Sequence, residues 1–295
     1  IEILGIRTNM SLADPGIGVL FILGISGMGV YGVALAGWAS NNKYSLMGGL
    51  RSSAQMISYE LPMALAIAAP LLVLNTLSFR GIVDAQAGFM LGFIPKWTIF
   101  QIPFNLISFL LFIIAAFAET NRVPFDLPEA ENELVAGFHT EYGSMKFAAF
   151  FMAEYCNMVT VSCVATLLFL GGWHPPFPAE LGSNYIPSLV LVGAGILSFL
   201  HGANPARRFD KYTLPVFGVV FFGLAGLLLV PAVAAPLMPV IWVSAKECFI
   251  LFIHIWVRGT LPRFRYDQLM SFAWTFMFPV AVVNLFLTGL WVALS

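Results

Sequence analysis

The stretch "TIFQIPFNLISFLLFIIAAFAETNRVPFDLPEAENELVAGFHTEY", residues 98–142, decides the fold. Its first part, 98–118, carries no charge and is long enough to cross about 30 Å of hydrocarbon as a helix. The remainder, 119–142, holds Glu119, Asp126, Glu129, Glu131, Glu133 and Glu141 against one arginine, Arg122. The whole chain has only 15 acidic residues. An oily span that gives way to a carboxylate-rich loop is the signature of a membrane helix followed by a segment on the aqueous side.

The pattern recurs along the chain, which is 59% hydrophobic and 10% charged, where a soluble domain would carry roughly 25% charged residues. Apolar runs near 17–38, 54–74, 98–118, 147–172, 184–201, 214–235, 239–258 and 271–293 predict an all-α polytopic transmembrane bundle of about eight spans. A transmembrane β-barrel would show short alternating segments instead. The weakest span, 184–201, is tested by charge. With eight spans, Lys43, Arg51, Arg122, Lys146, Arg207, Arg208, Lys211, Arg258, Arg263 and Arg265 share one side. Arg7, Arg80 and Lys96 fall on the other. Omitting the span would send Arg258, Arg263 and Arg265 outside, against the positive-inside rule. The acidic loop, 119–146, is therefore expected on the cytoplasmic side, with both ends of the chain outside.

Residues 1–295 are expected to form one integral membrane domain. No signal peptide is evident, and the start at Ile1, in what looks like a loop, predicts that an N-terminal part is missing. Cys156, Cys163 and Cys248 all lie in apolar runs without CxxC or Cys/His spacing, so they are expected as buried or lipid-facing thiols.

Two carboxylates are expected at depth. Glu60 in "SSAQMISYELPMALAIAAPLLVL" and Glu154 in "KFAAFFMAEYCNMVTVSCVATLLFL" each follow or precede a tyrosine about two turns inside a span. An ionisable group in hydrocarbon costs about 2.5–3.5 kcal/mol on insertion scales, so it faces the bundle interior and shares water, a partner or a proton. Pro62 removes a backbone donor beside Glu60. In "PVIWVSAKECFILFIHIWVRG", Glu247 and His254 share a face, with Lys246 about 100° round from Glu247. Lys246 either snorkels to the outer surface or joins a proton relay. Arg51 and Arg122 are the cations best placed to pair with the acidic stretch, since an unpaired buried charge is costly. Arg258, Arg263 and Arg265 read mainly as positive-inside anchors.

Three segments together carry a family resemblance: "AETNRVPFDLPEAENELVAGFHTEYGSMKFAAFFMAEY", "AGWASNNKYSLMGGLRSSAQMISYE" and "LPRFRYDQLMSFAW". They resemble the H-type subunit of the proton-pumping NADH:quinone oxidoreductases, respiratory complex I, over roughly residues 12–172 and 239–293. The mitochondrial counterpart in that family is NADH dehydrogenase subunit one. The resemblance implies a multi-pass protein of an energy-conserving membrane, the bacterial inner membrane above all. It implies membrane-arm and peripheral-arm partner subunits, quinone as substrate, and no complete active site in this chain alone. Flavin and iron–sulfur clusters would sit in the partner subunits, with no cofactor bound by this chain alone and no nucleic-acid partner. By the same resemblance, Arg51, Arg122 and Asp126 belong to the quinone cavity. Glu60, Glu131, Glu133, Glu141 and Glu154, with Lys246 added from its depth, form the start of a proton path. Clustered carboxylates repel one another and share protons near neutral pH.

The sequence departs from the family twice. Two N-terminal spans and a basic amphipathic segment are missing. Residues 174–237 are longer than the usual connection and add a helical pair with a basic turn at Arg207, Arg208 and Lys211. A related complex with a non-NADH electron donor is the nearest alternative. A proton-coupled secondary transporter is a more distant one, because no internal repeat is visible.

Overall fold

The computed structural model describes residues 2–3, 6–7, 14–90, 92–126, 137–178, 182–203 and 210–294. Helices dominate: α1 (Gly18–Gly27), α2 (Gly29–Ala39), α3 (Lys43–Leu74), α4 (Phe79–Ala85), α5 (Thr98–Gln101), α6 (Pro103–Glu119) and α7 (Ser144–Phe169) come first. They are followed by α8 (Ile186–Ala203), α9 (Asp210–Leu228), α10 (Pro231–Thr260), α11 (Tyr266–Ser271), a π-helical turn (Phe272–Met277) and α12 (Phe278–Leu294). Two antiparallel two-residue ladders, β1 (Glu2–Ile3) with β2 (Ile6–Arg7) and β3 (Phe89–Met90) with β4 (Ile94–Pro95), are the described strands.

Among the described residues, seven helical segments are long and apolar enough to cross a membrane: Gly18–Ala39, Lys43–Leu74, Ser144–Phe169, Ser183–Ala203, Lys211–Leu228, Pro231–Thr260 and Tyr266–Leu294. The expected span at 98–118 is broken in two. Ile102 is extended, and Pro103, which has no N–H to donate, starts α6 afresh as a helix of 17 residues. Other boundaries also move. α3 begins at Lys43, where the Asn42 side chain accepts the Tyr44 N–H as an N-cap, so Glu60 lies near mid-helix and not two turns in. α7 begins at Ser144, three residues earlier than expected. The expected division at 235–239 falls instead at Leu229–Val230, because Pro231 opens α10 and the helix then absorbs Pro236 and Pro239.

The chain divides into two compact units. One comprises Ile1–Ala13, Ala87–Lys96 and Trp173–Ala245; the other, larger, comprises Asp14–Gln86, Trp97–Gly172 and Lys246–Ser295. In the smaller unit α8 and α9 form a hairpin on a seam of small residues. The Gly195 and Gly218 backbones approach so closely that a Cβ on Gly218 would collide with the Phe199 ring. Phe199 and Phe222 stack across the same seam at 5.9 Å. This is the van der Waals packing by which membrane helices associate.

In the larger unit α3 is central and packs on α2, α6 and α12. Ala66, Ile67, Phe112, Ala115, Leu168, Phe169, Met277 and Ala281 form its apolar core. α2 and α3 cross closely where Gly37 meets Gly49. Unlike a bundle interior of pure hydrocarbon, α3 also buries Ser45, Ser52 and Gln55. Gln55 Nε2 donates to the carbonyls of Ala118 (2.9 Å) and Phe125 (2.7 Å), so one amide fixes both the end of α6 and the loop after it. That bond positions residues 119–126. At the same end, the Phe264 N–H bonds the Pro124 carbonyl and the Tyr142 hydroxyl bonds the Ala36 carbonyl.

Candidate functional site

The charged groups of the larger unit gather in three places. The first surrounds Glu119, the last residue of α6, which is 5% exposed. Its carboxyl group lies near Ser26 on α1 and Asn157 on α7, and within reach of the charge of Glu60 on α3. Oε2 has no hydrogen-bond partner among the described residues. Glu119 lines a cavity of about 20 Å³ together with Ser26, Asn157 and Thr160 among apolar side chains. That is room for about one water molecule. Glu60 lies against α1 where only glycine fits, since a Cβ on Gly27 would overlap its Oε1. Four helices thus converge on two carboxylates and a water-sized space.

The second place is Arg122, 6% exposed at the start of the acidic stretch. One of its Nη atoms lies 4.0 Å from Glu154, and its guanidinium covers the Tyr155 ring at 4.2 Å. Arg258 lies near Tyr155 as well. The i, i+3 spacing of Glu154 and Asn157 puts both on one face of α7, so that face serves both places. Arg122 was expected to pair within the acidic stretch; it faces Glu154 on α7 instead, outside that stretch.

The third place is the Asp126–Arg263 ion pair at 3.1 Å, with Asp126 3% exposed. Beside it lies an apolar pocket of about 480 Å³ walled by Phe117, Pro124, Phe125, Val257, Phe264 and Phe272, with Gln268 its one polar wall. The fully buried Tyr59 packs behind the pocket wall. Its ring meets Phe125 at 5.5 Å, its hydroxyl donates to the Leu269 carbonyl at 2.9 Å, and Glu60 is the next residue.

The remaining expected residues are dispersed. Arg51 lies over the Tyr266 ring at 5.5 Å. Glu141 is exposed and accepts a hydrogen bond from Asn42 Nδ2 at 2.8 Å, fastening its loop to the start of α3. Lys246 does not snorkel outward; it is buried among carbonyls at the far end of α7. His254 stacks on Phe117 at 4.1 Å, and Glu247 turns to Cys163. Cys163 is half-buried, while Cys156 and Cys248 are exposed. Glu131 and Glu133 lie outside the described residues. Sequence reasoning passed over Glu119, Ser26 and Asn157. The available signals were a carboxylate closing an apolar helix and an asparagine one turn beyond Glu154. It also took Arg263 for an anchor, although Arg263 is the partner of Asp126.

Fold and site together define a polytopic helical membrane protein with buried ionisable groups and an apolar pocket. The NADH dehydrogenase family model matches residues 3–289. The chain is 64% identical over 289 residues to the first H-type subunit of NADH-quinone oxidoreductase in Solibacter usitatus, covering 98% of this chain and 72% of that one. The second H-type subunit of the Koribacter versatilis enzyme is 46% identical over 100% of this chain and 68% of its own. The H-type subunit of Protochlamydia amoebophila is 43% identical over 98% of this chain and 68% of its own. The chain belongs to this family, the H-type membrane subunits of NADH-quinone oxidoreductases.

Proposed function

We propose that this chain is the membrane subunit in which quinone reduction meets the entry of a proton path. The observation that carries this reading is the apolar pocket whose wall packs on Tyr59, the chain neighbour of Glu60, in the same unit as the buried Glu119. The pocket suits an isoprenoid tail and ring: it is walled by aromatic and aliphatic side chains, with one polar wall and an ion pair at its edge. Arg51, Arg122 and Asp126 supply charge around it. Electrons would arrive from flavin and iron–sulfur centres in partner subunits. Quinone takes up two electrons and two protons to become quinol, so charge near Asp126 and Arg263 changes with each turnover.

The carboxylates respond to that change. Glu119 and Glu60 are close enough to feel each other's charge and so to compete for a proton, and Glu154 faces Arg122 nearby. A change of charge at the pocket alters which of them holds a proton, and a water in the neighbouring cavity carries it on. Glu141, at the exposed mouth of the same region, joins aqueous loop to path; Glu131 and Glu133 belong with it by sequence. The site of this function is the energy-conserving membrane.

Glu119→Gln and Glu60→Gln test the reading in the assembled complex, because Gln keeps size and hydrogen bonding but cannot titrate. Quinone-linked NADH oxidation and proton translocation are expected to fall together by roughly tenfold or more. NADH oxidation by an artificial acceptor in the peripheral arm should continue. Wild-type pumping rate and stoichiometry in both variants would remove the proton path from this chain.

A further inference from the structure

We infer that Lys246 is a positioning residue: its ammonium clamps the C-terminal turn of α7 and so sets the axial position of Glu154 and Asn157. An α-helix leaves its last four carbonyls without intrahelical partners. At the end of α7, Gln86 Nε2 reaches the carbonyls of Leu167 (2.9 Å) and Leu168 (3.2 Å). The N–H groups of Leu170 and Gly172 both turn back to the Thr166 carbonyl. Lys246 Nζ then donates to the carbonyls of Leu170 (2.7 Å) and Gly172 (2.8 Å). N–H donors at this pole also complement the helix dipole.

The surroundings are shaped around that ammonium. Nζ sits 4.5 Å from the centre of the Trp97 ring, a cation–π contact. Gly171 and Gly172 both have positive φ, at 71° and 48°, which curls the chain around Nζ. Neither has room for a side chain. A Cβ on Gly171 would strike Trp97, and one on Gly172 would stand 2.7 Å from Val83. Gln86 completes the knot by accepting the Thr98 N–H at 3.1 Å, which holds α5 and hence Trp97 in place. Three chain segments that are distant in sequence are therefore tied through one lysine and one glutamine.

The contacts that place Lys246 here are to backbone oxygens and an aromatic ring. The ammonium has three N–H donors, and two of them are committed to carbonyls. Its sequence neighbour Glu247 is engaged with Cys163. The clamp acts along α7. Leu170 is 13 residues beyond Asn157 and 16 beyond Glu154, so at 1.5 Å per residue a slip at the clamp moves groups about 20–24 Å away by the same amount. The Arg122–Glu154 separation of 4.0 Å has little tolerance for such a shift.

The test uses the assembled complex with K246R, K246M and E154Q, and with K246M and E154Q combined. Arginine cannot release its proton but still presents charged donors. K246R is expected to keep quinone-linked turnover within about threefold and the full proton-to-electron stoichiometry. K246M should lower turnover by about tenfold and lower the heat-inactivation midpoint. Combined with E154Q it should lower turnover no further than E154Q alone, since both act through one helix face. An assembled K246R that turns over without pumping, or losses in K246M and E154Q that simply multiply, would overturn the clamp. Should K246M fail to assemble, W97L removes only the aromatic side of the knot and is expected to show the same non-multiplying loss. A silent W97L then counts against the inference. If E154Q alone has wild-type turnover, the proton-path reading fails, while the clamp is still judged by K246M heat inactivation and its recovery in K246R.

Discussion

Helix α3 and the α8–α9 hairpin begin from the same kind of sequence, apolar runs long enough to span a bilayer, and they end differently. Over its most apolar window α3 is 44% buried, while each hairpin segment is 17% buried. What is buried differs more. α3 takes Ser45, Ser52, Gln55 and Tyr59 inside and spends them on the Phe138, Ala118, Phe125 and Leu269 carbonyls and on close backbone approach. The hairpin buries Ser188, Gly195, Gly202, Ala225 and Leu228, with one hydroxyl its sole buried polar side chain among the described residues, and meets its surroundings with Leu, Val and Phe. Polar burial in hydrocarbon is costly, so its concentration on α3 marks where geometry must be exact for charge to be handled. The hairpin is held by packing alone, and its outward faces suit lipid or an apolar partner surface.

The contrast breaks first at Arg122. R122M removes the cation that faces Glu154, a mostly buried carboxylate. Losing one member of a buried pair costs about 3–5 kcal/mol, enough to deplete the assembled complex sharply. Quantifying complex in membranes by native gel checks this. Wild-type abundance with wild-type heat stability in R122M would mean that Glu154 does not depend on Arg122. The polar interior of the larger unit would then be less tightly coupled than its distances imply.

The hairpin offers the complementary test. G218V pushes two extra methyl groups toward Phe199 and the Gly195 carbonyl, where even a Cβ has no room. Overpacking of this kind costs about 1–3 kcal/mol. The expected result is greater protease sensitivity within 182–230, with turnover per assembled complex unchanged. Lost turnover at wild-type assembly would show that the hairpin participates in the chemistry and would erase the distinction between the two regions.

How much of this was legible in the sequence follows from the range of each interaction. Span existence is a local property, and apolar length revealed it everywhere except where one proline divided α5 from α6 and another opened α10 early. That Arg122 needs a carboxylate followed from the cost of a buried charge, but the partner was sought in the acidic stretch and is Glu154 on the next long helix. The partner of Asp126 did not follow, because Arg263 lies 137 positions away and its charge had already been explained by topology. Glu119 was visible only as one acid among six. What distinguishes it is Ser26 and Asn157, which three-dimensional packing alone brings to it. For Lys246 the ligands are backbone carbonyls, and no side-chain pattern announces those.

The smallest effect is expected at Glu141, and it sharpens the difference between a carboxylate in the path and one at its rim. Glu119 and Glu141 belong to the same acidic stretch and are equivalent by composition. Glu119 is closed off by four helices and lines a water-sized cavity, whereas Glu141 is exposed and bonds the Asn42 amide at 2.8 Å. Water screens an exposed carboxylate, and Gln at this position still offers Asn42 a carbonyl acceptor. E141Q should therefore change stability by no more than about 0.5 kcal/mol and keep turnover within about twofold. The measurement is quinone-linked NADH oxidation and proton stoichiometry on the same membranes as E119Q. If E141Q falls as far as E119Q, burial is not what ranks these carboxylates, and the path must extend through the exposed mouth as tightly as through the helices.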